Sequence, residues 1–319
     1  MATLSHIPVL LNECMDGLNI QADGVYIDGT FGRGGHSRKI LSLLGPEGRL
    51  IGLDRDLTAV EAGHELEKED SRFTIVHTPF SRLAQVCEDL DLVGRVNGIL
   101  LDIGVSSPQL DDASRGFSFD RDGPLDMRMD QSAAKSARTV VAEYEARELA
   151  RIFKVYGEER FASQVARAIV RRRESEPFTT TRDLAAVIAA SIPGKPGPKH
   201  KATRCFQALR IEVNGELDEL NSALESAVSV LAPQGRLCVI SFHSLEDRIV
   251  KNFFRESSRG RQIPSVVPLT SEELDRIRRE TATLDLVGGA IRASDDELEA
   301  NIRSRSATLR VAQRLGTGE

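Results

Sequence analysis

Residues 25–56 read VYIDGTFGRGGHSRKILSLLGPEGRLIGLDRD. Two apolar, β-prone runs, VYIDGT (25–30) and RLIGLDRD (49–56), flank a glycine-rich turn and a stretch with helical spacing from His36 to Leu44. Strand, tight turn, helix and second strand in that order make a βαβ unit, the building block of a parallel sheet. Working outward, a helical stretch follows to about Glu69, and FTIVHT (73–78) and VNGILLDIG (96–104) continue the rhythm. A fifth run of the same kind, GRLCVISFHS (235–244), comes only about 130 residues later. Structureless connections beyond ~12–15 residues are uncommon within a compact domain, so the gap must hold folded chain.

The filling begins with SRGFSFDRDGPLDMRMD (114–130), an irregular stretch rich in Gly, Asp and aromatic residues. From Val140 the period turns helical: VVAEYEARELARIFKVYG reads as one helix, ERFASQVARAIVRRRES as the next, and Thr181 with Asp183 opens a third that stops at Pro193-Gly194. The basic linker KPGPKHK (195–201) leads back into helix from Ala202. The expected organisation is an α/β fold, an open and mostly parallel Rossmann-like sheet from 1–112 and 215–319, with an inserted all-α domain at 113–214. After the fifth strand, LEDRIVKNFFRES is an amphipathic helix, and NIRSRSATLRVAQR (301–314) alternates as a late antiparallel strand would.

At 319 residues, 40% hydrophobic and 28% charged, the composition is that of a globular protein. No apolar run reaches the ~20 residues that span a bilayer, and no secretory signal opens the chain, so the expected compartment is the cytoplasm. Cys14, Cys87, Cys205 and Cys238 are widely spaced, with no CxxC pair, and six scattered histidines form no HExxH; no metal site is expected. Net charge is −6, yet residues 135–214 carry sixteen Lys and Arg against nine Asp and Glu, a local +7 that leaves −13 for the remainder. A basic segment on an acidic body suits a face that meets phosphates, although solvated helix faces read the same way.

DGTFGRGGH (28–36) follows a strand and opens a helix, and Asp54 ends the next strand, where a carboxylate can accept both hydroxyls of a ribose. This describes an adenosine site. A dinucleotide turn is usually GxGxxG, whereas here an acid leads the turn, which favours S-adenosylmethionine, with an ammonium and a sulfonium and no phosphate, and sets Asp28 near the amine. In an open sheet the carboxyl ends of the strands face the ligand. That rule places Asp102, Ser106, Ser107 and Gln109 of LLDIGVSSPQLDD (100–112), and His243 of SFHSLED (241–247), at one edge.

These blocks, together with HIPVLLNE (6–13), RGFSFDRDGPLDMRMD (115–130), YGEERFASQVARAIV (156–170), ATRCFQALRIEVNGEL (202–217) and RSRSATLR (303–310), resemble the RsmH (MraW) family of 16S rRNA cytosine-N4 methyltransferases nearly end to end. The resemblance implies a class I methyltransferase domain with a helical insertion that transfers a methyl group to N4 of a decoding-centre cytidine, with S-adenosylmethionine as cofactor and 16S rRNA, within the small ribosomal subunit, as partner. It implies cofactor contacts at Gly34, Gly35, His36, Asp54, Phe80, Asp102 and Gln109. A cytosine amine is a poor nucleophile and needs hydrogen-bond acceptors as its nitrogen becomes tetrahedral. Asp102 and Ser106 are the candidates, with His243 as proton acceptor and, in its bland reading, a satisfied core histidine. Arg171 to Arg173 and Lys195 to Lys201 are candidates for phosphate contact, Phe117 and Phe119 for stacking on the base. A dinucleotide oxidoreductase, a methyltransferase with another acceptor and a non-catalytic RNA-binding factor remain as alternatives, and the choice of monomer or homodimer stays open.

Overall fold

The computed structural model describes residues 8–195, 197–198, 200–261 and 270–316. The chain divides into two units, residues 1–104 with 218–319, and residues 105–217. The second begins eight residues earlier than the expected 113, because Val105 and Leu110 already pack into the helical core.

The first unit is built on one seven-stranded sheet: β1 (Val25–Asp28), β2 (Arg49–Asp54), β3 (Phe73–His77), β4 (Val96–Asp102), β5 (Leu231–Ser241), β6 (Leu284–Leu286) and β7 (Thr308–Arg314). Their order is β3-β2-β1-β4-β5-β7-β6. β1 to β5 pair in parallel, while β7 runs antiparallel between β5 and β6. This is the Rossmann-like methyltransferase sheet expected from the sequence. The strand order reverses between β1 and β4, which opens a crevice at their carboxyl ends. Only half of the 301–314 run is strand, since Asn301 accepts the Arg303 N–H and turns Ile302–Ser306 into a 3₁₀ helix.

Period-two alternation sends each strand's side chains to opposite faces. Tyr26, Leu50 and Leu100 pack on one face with α1 (Leu11–Leu18), α2 (Gly35–Leu43) and α3 (Leu57–Glu69). Ile27, Ile51, Ile99 and Leu101 pack on the other with α4 (Leu83–Asp89) and, later in the chain, the helices Glu216–Val230 and Ser244–Arg259. Cys14, Cys87, Cys205 and Cys238 are buried thiols.

The second unit carries α5 (Ser107–Asp111), α6 (Ala137–Glu143), α7 (Ala146–Val155), α8 (Ala162–Ser175), α9 (Thr181–Ser191) and α10 (Thr203–Asn214). The stretch read as one helix from Val140 is two. Glu148 Oε2 accepts the Glu145 N–H, a capping box that starts a new helix just after α6 ends at an extended Tyr144. Residues 114–130 form an ordered loop. Arg115 donates to the carbonyls of Arg128 and Met129, and Asn214 donates to Met127 O while accepting the Met129 N–H.

Candidate functional site

Register alone gathers three carboxylates. Asp28, the last residue of β1, pairs with Gly52 and Leu100, so Asp54 and Asp102 lie two residues further along the flanking strands. Paired residues in a parallel ladder point to the same face, and so do residues i and i+2. Asp28, Asp54 and Asp102 therefore emerge together, at the carboxyl edge, on the face that packs α2 and α3.

Each carboxylate is held differently. Asp28 is buried, accepting from Ser37 Oγ at 2.7 Å and from the Thr30 N–H at 3.2 Å. Both oxygens organise the turn and the start of α2, and burial raises its pKa. Asp54 Oδ2 accepts the Gly32 N–H at 2.8 Å and Oδ1 the Asp56 N–H at 2.9 Å. It ties the glycine turn to the start of α3, and burial pushes its pKa up to about 6 against those two bonds. Each oxygen keeps a second lone pair for a ribose hydroxyl.

Asp102 is the one left open. Its N–H donates to Thr30 Oγ1 at 2.7 Å, and its Oδ2 lies 3.8 Å from His36 Nδ1. Oδ1 is buried and has no hydrogen-bond partner among the described residues. Burial lifts its pKa to about 6, with the His36 charge lowering it and Asp28 and Glu246 raising it. A buried polar atom left without a partner costs ~1–3 kcal/mol, which marks it as a seat for a donor.

The glycine turn is shaped by the protein's own side chains. Gly34 sits at φ +73°, and a Cβ there would stand 2.8 Å from the Phe31 ring. At Gly35 a Cβ would meet Pro8 at 2.4 Å. These two glycines admit the protein's own ring and proline. His36 opens α2 as a buried side chain, its Nε2 3.0 Å from Val9 O. Phe80 follows β3 in a 3₁₀ turn, half-buried beside Gly29.

Ser106 and Gln109 belong to the second unit. There Gln109 Oε1 accepts the Ser106 N–H at 3.0 Å, closing a capping box on α5. His243, the expected proton acceptor, stands at the start of a helix. It caps the helix Ser244–Arg259, its Nδ1 accepting a long 3.4 Å bond from the Glu246 N–H, while Nε2 lies 2.9 Å from Glu246 Oε1. Phe117 is a correction, being buried in the helical core, and the Phe119 ring packs on Phe206 and His200 with centroids 4.8 and 4.7 Å away. Phe119 is half-buried and keeps part of its surface exposed. Thr30, Ser37 and Val9 were not legible as site residues, because their roles arise from contacts across the turn and with the N-terminal segment.

A model of the MraW methylase family matches residues 3–315. The chain belongs to that family. The ribosomal RNA small subunit methyltransferase H of Shewanella frigidimarina is 56% identical over 98% of both chains, and that of Shewanella oneidensis 54% identical over the same share. Among solved structures, an rRNA methylase from Streptococcus thermophilus aligns over 99% of this chain and 100% of its own, with 8% identity and a TM-score of 0.43. As a member of the MraW methylase family, the protein is an S-adenosylmethionine-dependent methyltransferase.

The residues present fit that cofactor. Three carboxylates at one strand edge would repel a diphosphate but favour an ammonium and a sulfonium, and the open Asp102 oxygen is an acceptor awaiting an N–H.

Proposed function

We propose that this methyltransferase modifies the N4 amine of a cytidine in the decoding region of 16S rRNA, acting in the cytoplasm on the small ribosomal subunit. The observation that carries the reading is end-to-end identity of 54–56% with relatives named for methylation of small-subunit rRNA.

Bound S-adenosylmethionine supplies an electrophilic methyl group on a sulfonium. Asp54 accepts the ribose hydroxyls through its two spare lone pairs, and Phe80 covers the adenine. Gly34, Gly35 and His36 supply backbone at the start of α2, and Gln109 follows at the start of α5. Asp102 Oδ1 has two lone pairs, room for one N–H from the cofactor's ammonium and one from the target amine. The lone pair of a cytosine amine is delocalised into the ring, so holding it in line and accepting its protons as the nitrogen becomes tetrahedral is the main task. Asp102 and Ser106 perform it, with His243 as the proton acceptor.

RNA recognition falls to the basic second unit. Within it the triplet divides: Arg172 pairs with Glu176 and Asp183, Arg173 donates to the carbonyls of Val141 and Tyr144, and Arg171 is exposed. Lys201 caps the end of α9 through Ile192 O and Gly194 O. Phosphate contact is therefore assigned to the exposed Arg167, Arg171 and Lys195. Lys199 lies outside the described residues.

The test incubates the protein and radiolabelled S-adenosylmethionine with small subunits, or free 16S rRNA, from cells lacking the modification. Label in N4-methylcytidine at one position supports the proposal. Label in another nucleoside, or none despite cofactor binding, sinks the assignment of the acceptor.

A further inference from the structure

We propose that His36 is a positioning residue for Asp102: its imidazole carries a proton at Nδ1 that faces Asp102 Oδ2, keeping that carboxylate charged while Oδ1 stays open to the cofactor's ammonium. The inference deepens the methyltransferase reading and rests on it for the identity of the ligand, though the proton arrangement stands on this chain's own geometry.

The argument begins at the far side of the ring. Nε2 lies 3.0 Å from Val9 O, a carbonyl that can only accept, so Nε2 carries a proton. Val9 cannot readily swing away, because its neighbours are fixed on both sides. Pro8 packs on Gly35, and the Leu10 N–H donates to Glu297 Oε1 at 2.7 Å. With Nε2 protonated, a neutral ring would turn the bare Nδ1 lone pair toward Asp102 Oδ2, 3.8 Å away. Two acceptors facing each other in a buried site repel, and a proton on Nδ1 turns that repulsion into an ion pair.

The surrounding charges favour the same answer. The groups facing Asp102 are Asp28 from β1 and Glu246 from the helix Ser244–Arg259, both acidic, and His36 from α2, the basic one; the Cys14 thiol of α1 is buried nearby with its pKa raised. His36 acts on Asp28 in the same sense as on Asp102. One imidazolium thus offsets two buried carboxylates.

The test follows the Asp102 carboxyl carbon by NMR through a pH titration of the ligand-free protein, in wild type and in His36→Gln. Glutamine can keep a donor toward Val9 O but has nothing to place at Nδ1. The expected result is an upward move of the Asp102 midpoint by about one pH unit or more, the size usual for losing an opposite charge at this range. An unmoved or lowered midpoint overturns the proposal. Should the variant fail to fold, the imidazole nitrogens of the wild type answer alone: at about pH 5.5, below the ordinary histidine midpoint, Nδ1 without a proton overturns it. Calorimetry with S-adenosylhomocysteine separates this from the ligand reading. Affinity in His36→Gln should fall about fivefold near pH 6 and recover near pH 8, where Asp102 is ionised regardless. A carboxyl midpoint that moves while affinity does not follow would leave the ion pair standing and overturn the assignment of the ammonium to Asp102.

Discussion

Gly34 is required by the fold of its own turn. Its φ of +73° and the Phe31 ring 2.8 Å from where a Cβ would stand make alanine costly on two counts. Gly34→Ala should destabilise the protein by ~1–3 kcal/mol, read as a lower denaturant midpoint with an unchanged slope. A midpoint equal to wild type would mean that the turn is not held as described. Glu297 presents the opposite case, a residue without any motif around it. Its Oε1 accepts the Leu10 N–H and the Ser304 hydroxyl, and Leu10 itself holds a left-handed φ of 52°. Glu297→Ala should cost ~1–3 kcal/mol and speed hydrogen exchange at the Leu10 amide, whereas an amide as protected as in wild type would contradict the clamp. The glycines and Asp54 could be read in the sequence because strand, turn and next-strand acid stand in local order. Glu297 could not, since 287 residues separate it from the amide it holds.

Among elements, the five parallel strands were legible from apolar runs at regular spacing, whereas β6, three residues long, offers no period to detect. The helix expected from Val140 breaks because Glu145 and Glu148 form a capping box, which outweighs the unbroken apolar spacing. The irregular 114–130 loop owes its order to long-range contacts with no sequence signature, chiefly Asn214, which bonds both Met127 O and the Met129 N–H. Asn214→Ala leaves these buried groups short of a partner. We expect it to destabilise the second unit by ~2–4 kcal/mol and to expose the loop to proteolysis. A loop as resistant as in wild type would show that Arg115 alone suffices. The same burial takes Phe117 out of the role expected for it: an aromatic in a Gly/Asp-rich loop resembles a stacking platform until the helices it packs against are known.

For the whole molecule, the acidic strand edge couples stability to pH. The pKa values of Asp54 and Asp102 are raised from 3.8 to about 6 by burial. The folded chain thus holds these protons more tightly than the unfolded one. Their contribution to stability is complete below about pH 3.8 and is lost as pH rises through about 6. A cationic amine at Asp102 favours the charged form, so the rise in Tm with saturating S-adenosylhomocysteine should grow between about pH 5 and about pH 7. A rise independent of pH would mean that the ligand does not touch these carboxylates. Equilibrium binding of S-adenosylhomocysteine to wild type and Asp54→Ala near pH 7.5 tests most directly that the adenosine cofactor sits at the carboxyl ends of β1, β2 and β4. The account predicts a loss of about 10- to 100-fold, the worth of charge-assisted bonds to two ribose hydroxyls. Unchanged affinity in a folded Asp54→Ala protein would place the cofactor elsewhere and contradict the account.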